Sequence, residues 1–169
     1  MGVTMVKNDF LDALCEFTRE CVGDLLLPER VQGEFENPKM RPAEVFKMRL
    51  PDSRAAKKKA PYIIHQILTS SDAQTAGRES VATVTVRSIF CVYCGDEEQG
   101  ALMLLELMER LRIPLLRCRV LQKRYQLDLR EGPLECLIYP DDTAPYFAGE
   151  MSAVWRVPAV EREVAEWLT

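Results

Sequence analysis

The stretch SVATVTVRSIFCVYCGDE, residues Ser80–Glu97, decides the fold. Successive strand side chains point to opposite faces. Ala82, Val84, Val86, Ser88, Phe90 and Val92 therefore share one face of a predicted strand over Val81–Tyr93. Val81, Thr83, Thr85, Arg87, Ile89, Cys91 and Tyr93 share the other. The first face is the more apolar, which assigns it to the core, against helices. At Cys94-Gly95-Asp96 the period changes from two to that of a helix. Asp96 is placed to cap it, with Gln99 three residues on completing a capping box. Glu97 and Glu98 suit the positive end of the helix dipole. Ala101, Leu104, Leu105, Met108 and Leu111 form the predicted buried stripe, and Pro114 marks the expected end near Arg112. Leu102, Met103 and Leu107 widen the apolar arc almost to a full circle, so the helix lies deep in the core or is half-covered by another subunit. No Gly-rich phosphate loop, His–carboxylate cluster or nucleophile elbow interrupts this run.

Downstream, Leu115–Leu129 contains one or two strands, with Tyr125, Leu127 and Leu129 alternating. Gly132-Pro133 turns the chain into a strand over Leu134–Tyr139, and Pro140–Pro145 is a loop. The closing strand after Gly149 puts Met151, Ala153, Trp155 and Val157 on one face, Pro158 stops it, and Val160–Leu168 suits a short final helix. Upstream, Asn8 is placed to cap an amphipathic helix from Asp9 to about Val22. Pro28–Pro61 is punctuated by prolines, with short strand candidates at Val31–Phe35 and Val45–Leu50. Pro61–Leu68 is a buried strand, and polar Thr69–Glu79 is a turn or loop. The expected fold class is α+β: a single mostly antiparallel sheet with helices packed on one face, plus a long basic loop or hairpin at about 36–60, the whole of residues 1–169 forming one domain.

With 169 residues, 47% of them apolar and 28% charged, the chain is long enough to bury a real core. A net charge of −4 argues against a protein built mainly to bind nucleic acid. No apolar run approaches the roughly 20 residues of a membrane span. The start lacks the apolar region of a signal peptide, and Val6 stands where a myristoylation signal needs Ser or Thr. The six cysteines are accordingly expected as reduced thiols.

The candidate chemical groups each have a structural explanation. Cys91-Val92-Tyr93-Cys94 is a C-x-x-C, but zinc needs four converging ligands, and Cys118 and Cys136 are isolated. Cys91 also falls inside the strand pattern rather than at a strand-to-helix turn, where a redox motif belongs. His65, the sole histidine, lies in an apolar strand and is expected to be packed or at an edge. Asp96, Glu97 and Glu98 serve the helix start, and Asp141 and Asp142 a turn.

Charge is segregated along the chain. Lys39–Lys59 carries eight basic and two acidic residues, a net of +6, whereas Met1–Pro38 nets −5 and Glu131–Thr169 nets −6. Arg54, Lys57, Lys58 and Lys59 form the tip of the basic segment. A solvated loop explains it; so does a loop that docks on an acidic surface, such as a neighbouring copy of the chain, or on passing DNA.

The helix Asp9–Val22, the strand Pro61-Tyr62-Ile63-Ile64, and the long strand with its exit Tyr93-Cys94-Gly95-Asp96-Glu97 occur in a characteristic order. The helix Gly100–Arg112 follows, and Tyr146-Phe147-Ala148-Gly149-Glu150 then leads to Trp155-Arg156-Val157. Together these resemble the tail terminator (tail completion) proteins of tailed bacteriophages and prophages. The resemblance covers most of the chain, as an order of elements with short local motifs. It implies a small α+β fold and a ring, commonly a hexamer, that caps the tail tube and meets the head–tail connector protein, with transient passage of DNA. It implies no catalysis, no cofactor and no membrane, and a location in the virion tail or, during assembly, the host cytoplasm. Arg54, Lys57, Lys58 and Lys59 are the expected oligomer or partner contacts. Two other readings stand beside it: another head–tail connector or virion adaptor, and a small metal or redox protein using Cys91 and Cys94.

Overall fold

A computed structural model describes residues 5–29, 39–51, 59–140 and 143–162. Its elements are α1 (Val6–Val22), β1 (Leu27–Pro28), β2 (Met40–Arg41), β3 (Glu44–Lys47), β4 (Tyr62–Gln74), β5 (Ser80–Tyr93), α2 (Glu97–Cys118), β6 (Val120–Leu121), β7 (Tyr125–Leu127), β8 (Glu135–Ile138) and β9 (Tyr146–Val157). The content is mixed, two helices with a seven-stranded sheet ordered β3-β4-β5-β9-β7-β6, and β8 pairs with β9 beside β7. The β3–β4 pair is parallel and the others in this sheet are antiparallel.

β5 is the spine. It pairs along its length with β4 on one side and β9 on the other, from Ala82 opposite Val157 to Tyr93 opposite Tyr146. Ala82, Val84, Val86, Ser88, Phe90 and Val92 are all buried, as the alternation requires, and Met151, Ala153, Trp155 and Val157 of β9 are buried beside them. One apolar cluster joins these side chains to Phe10 and Leu14 of α1 and to Leu104, Leu107 and Leu111 of α2. Phe10 anchors it, its ring centroid 5.3 Å from those of both Tyr125 and Trp155. A second, smaller cluster joins Leu50 and Ala60 to Tyr62, Ile64, Cys91 and Tyr146, residues of the other strand face.

Several boundaries differ from the sequence expectation. α1 starts at Val6 with no side-chain cap, so Asn8 lies within the first turn rather than before it. Half-buried Val6 packs on the core cluster, so packing rather than capping holds this turn. The stretch expected as a loop from Thr69 is strand as far as Gln74, because Ser80–Thr85 supplies a full ladder of partners. Pairing here overrides polar composition. The turn is confined to residues 75–79, with Gly77 at φ +76°.

α2 begins as expected, Asp96 Oδ1 accepting from the Gln99 amide at 2.9 Å. It does not stop at Pro114. A proline removes one backbone donor and crowds the preceding turn, but buried Leu111 and Leu115 clamp the helix on either side of it. The helix closes only at Arg119, left-handed at φ 61°, whose amide donates to the Leu115 carbonyl at 2.9 Å. Leu115–Cys118, the start of the stretch Leu115–Leu129 expected to hold one or two strands, is therefore helix, and the strands of that stretch are β6 and β7. The buried stripe is also rotated: Gly100, Leu104, Leu107, Met108, Leu111 and Leu115 face inward, while Ala101 and Leu105 are exposed. The helix start is pressed onto β9, where a Cβ on Gly100 would come within 2.2 Å of the Phe147 ring. Of the strand expected over Leu134–Tyr139, residues Glu135–Ile138 are strand, all four exposed. Val45–Leu50 shortens to β3, whereas Val31–Phe35 and the final-helix residues from 163 on lie outside the described residues. No described helix is long and apolar enough to cross a membrane.

Candidate functional site

The +6 segment of the sequence can be followed only in part. Arg54, Lys57 and Lys58 lie outside the described residues, and Lys59 is half-buried at the point where the segment rejoins the fold. That junction is built around Arg41. Its Nη2 donates to the Lys59 carbonyl at 2.8 Å and its Nη1 to the Pro61 carbonyl at 3.1 Å. The same guanidinium faces Glu29 at 3.4 Å and Glu44 at 3.7 Å. Pro28 opposite Met40 and Leu27 opposite Arg41 bring the strand pair β1–β2 to this place. One planar cation with five donors thus fastens both ends of the basic segment through two carbonyls and two carboxylates. Lys47, another of the eight basic residues, donates to Asp12 of α1, and that contact pushes its ammonium pKa up. Arg41 and Lys47 therefore act within the chain.

An acidic ridge runs along α1 and just past its end. Asp12, Glu16, Glu20 and Asp24 recur every four residues, one turn apart, and all four are exposed. Lys47 reaches Asp12 at one end, and Arg110 of α2 reaches Asp24 at 2.9 Å at the other. Glu16 and Glu20 between them border an open groove of about 260 Å³ with Phe17, Cys118 and Gln122.

A second basic stretch escaped the sequence reading. Arg112–Arg130 contains six basic residues and one acidic, a net of +5, a signal that counting this window alone would have shown. Much of it is the sharp β6–β7 corner. Gln122 and Lys123 sit at φ 50° and 57°, left-handed at the centre of the turn that the Arg124 amide closes on the Leu121 carbonyl at 3.0 Å, within a three-residue connection from Leu121 to its partner Tyr125. Glycine or asparagine usually fills such positions; here long polar side chains do, and the corner projects Arg119, Lys123 and Arg124.

His65 has a defined chemical state. It is fully buried, its Nε2 2.8 Å from Thr18 Oγ1 and its Nδ1 2.7 Å from Ser88 Oγ. Thr18 spends its only proton on the Leu14 carbonyl at 2.7 Å, so it must accept from Nε2–H. Nδ1 is then an acceptor, and Ser88 donates to it. The relay Ser88→His65→Thr18→Leu14 ties β5, β4 and α1 together with a neutral imidazole. Burial, and secondarily Arg19, lowers the ring pKa to about 3. With both nitrogens engaged inside the core, this ring is a packed residue, as its sequence setting suggested.

The C-x-x-C residues are both buried, and all six cysteines are reduced. Cys91 belongs to the second apolar cluster, where Tyr62 is its hydrogen-bond partner and burial pushes the Tyr62 phenol upward. Cys94 lies just beyond the strand, its amide donating to the Pro145 carbonyl at 2.9 Å. Among the described residues no three His, Cys, Asp or Glu side chains converge to hold a metal. Asp141 and Asp142 lie outside the described residues. The sequence matches no family model and no curated protein.

Proposed function

We propose that this chain is a structural subunit of a bacteriophage or prophage tail, a tail terminator whose copies form a ring, commonly a hexamer. The ring caps the tail tube and joins it to the head–tail connector, with no catalytic role. In this reading both helices lie on one face of a single-domain sheet and the basic segment at about 36–60 is a contact arm. The observation that carries it is the order of elements: an N-terminal helix, the β4–β5 pair, a helix hung directly on the β5 exit, and a long final strand returning beside β5. That order of elements resembles the one in tail terminators. The charge layout supports assembly, since a basic arm and an acidic helix ridge on one chain can meet between successive copies of a head-to-tail ring. The test is removal of the gene from its phage or prophage. Full heads and unjoined tails, rescued when the purified chain is added, are the expected result. Normal infectious particles without the chain would overturn the proposal.

A further inference from the structure

The acidic ridge on α1 is engaged at its ends and free in its middle. Asp12 is held by Lys47, and Asp24 by Arg110, which also contacts Glu106. Glu16 and Glu20 lie between, one turn apart and both exposed. Among the described residues no ion pair or hydrogen bond engages either carboxylate. The two form one wall of the groove of about 260 Å³, and Cys118, Val120 and Gln122 stand on the other. Phe17 in this groove is half-buried, and Val120 is 42% exposed.

The second wall is flanked by cations that are equally free. Arg117 follows Glu106, Arg110 and Ile113 at helical spacing, and those three meet α1 around Glu20 and Asp24. Arg117 thus continues the α1-facing stripe of α2 past the point where Arg110 is satisfied. Lys123 follows Gln122 at the β6–β7 corner. Both are exposed, and among the described residues neither side chain has an ion-pair or hydrogen-bond partner. The two walls also match in level. Cys21, next to Glu20, lies within electrostatic reach of Cys118, next to Arg117. Glu16, one turn back along α1, borders the groove together with Gln122. A twofold axis laid along such a groove exchanges its walls. The second copy then sets Arg117 over Glu20 and Lys123 over Glu16, and its own acidic wall over this basic one.

We infer that the groove between α1 and the β6–β7 corner is a twofold self-association surface whose occupant is a second copy of this chain. Reciprocal Glu20–Arg117 and Glu16–Lys123 pairs hold it, four in all, and they close over Phe17 and Val120. The surface is isologous, the same patch on both partners, so association stops at the dimer. It does not rest on the tail reading; a neighbour's basic arm seated on the same ridge and this twofold contact exclude each other. Exposed pairs of this kind are individually weak and screened by salt, which makes the dimer reversible and salt-sensitive.

Sedimentation velocity of the full chain over a concentration series at low and high salt tests it, with circular dichroism confirming that each variant is folded. A monomer–dimer equilibrium that weakens as salt rises is expected. The variant Glu16→Lys/Glu20→Lys makes both walls basic, and Arg117→Glu/Lys123→Glu makes both acidic. Each alone should dimerise about tenfold or more weakly, because like charges then face each other on both sides of the axis. An equal mixture of the two should recover a dimer containing one copy of each. A wild-type chain that stays monomeric at every concentration, whether or not its basic wall takes up an added DNA duplex, would overturn the assignment. So would assembly that continues past the dimer, indifference to either reversal, or a mixture that associates no more tightly than its components.

Discussion

Acid should destabilise this protein through His65 before its carboxylates titrate. The folded ring has a pKa near 3, against about 6.5 for an unperturbed histidine. The folded pKa is the lower, so the unfolded chain binds the proton more tightly. The contribution of the neutral ring is therefore complete above pH 6.5 and is lost as pH falls from there toward 3. At about 1.4 kcal/mol per pH unit, the loss between pH 7.5 and pH 5 is roughly 2 kcal/mol, and the ceiling below pH 3 is roughly 5 kcal/mol. Urea unfolding at a series of pH values measures the loss. His65→Asn is the reference, because it keeps polar atoms near Thr18 and Ser88 but cannot take up the proton. The variant should be about 1–3 kcal/mol less stable at pH 7.5, the cost of disturbing buried hydrogen bonds, with the two curves converging toward pH 5. Nitrogen NMR of the ring gives a direct check: the proton should reside on Nε2, and no titration should be seen above pH 5. A ring that titrates near 6.5, or two stability curves that stay parallel, would show that the Ser88–His65–Thr18 relay does not form.

Three further outcomes are expected. Phe90, fully buried at the centre of β5, should cost about 3–5 kcal/mol on replacement by alanine in chemical denaturation, and a loss under about 1 kcal/mol would mean that the two faces of β5 are reversed. Gly100→Ala gains helix propensity of about 1 kcal/mol, but its Cβ lands 2.2 Å from the Phe147 ring, so a net destabilisation is expected, relieved in the double variant with Phe147→Leu. Replacing Lys57, Lys58 and Lys59 by Glu should block tail completion while the chain still folds; normal joining at low and high salt would remove the basic tip from the assembly contact.

The period-two stretches were legible because each carries its whole signal locally. Alternation over Val81–Tyr93 and Met151–Val157 names the buried face without reference to any partner, and Asp96 with Gln99 names a helix start from four residues. What could not be read was decided by partners distant in the chain. Thr69–Gln74 has the composition of a loop and becomes strand because Ser80–Thr85 lies opposite. Pro114 looks like a stop, but two buried leucines outweigh one missing donor. The rotation of the α2 stripe was hidden for a different reason. Ala101, Leu102, Leu104, Leu105, Leu107 and Met108 are apolar almost all round, so periodicity alone cannot choose which arc faces inward. The glycine at position 100 chooses it, by allowing the helix start to close on Phe147.

A charge count does not say which charges face outward: the Lys39–Lys59 segment carries eight basic residues, but they are not all turned to solvent. Arg41 is instead committed to two carbonyls and to Glu29 and Glu44, and Lys47 to Asp12. A guanidinium that closes the neck of a segment cannot also serve as its contact surface. Removing Arg41 should therefore disturb the geometry at Lys59 and Pro61 first and any docking only as a consequence, whereas charge reversal at the tip should act on docking alone. Salt separates the two effects. A half-buried guanidinium bonded to carbonyls is screened little, while exposed charges on separate copies lose most of their attraction beyond a Debye length of about 8–10 Å. An assembly step that weakens steeply with salt, in a chain whose melting temperature does not, would locate the attraction at the tip and leave Arg41 its structural role.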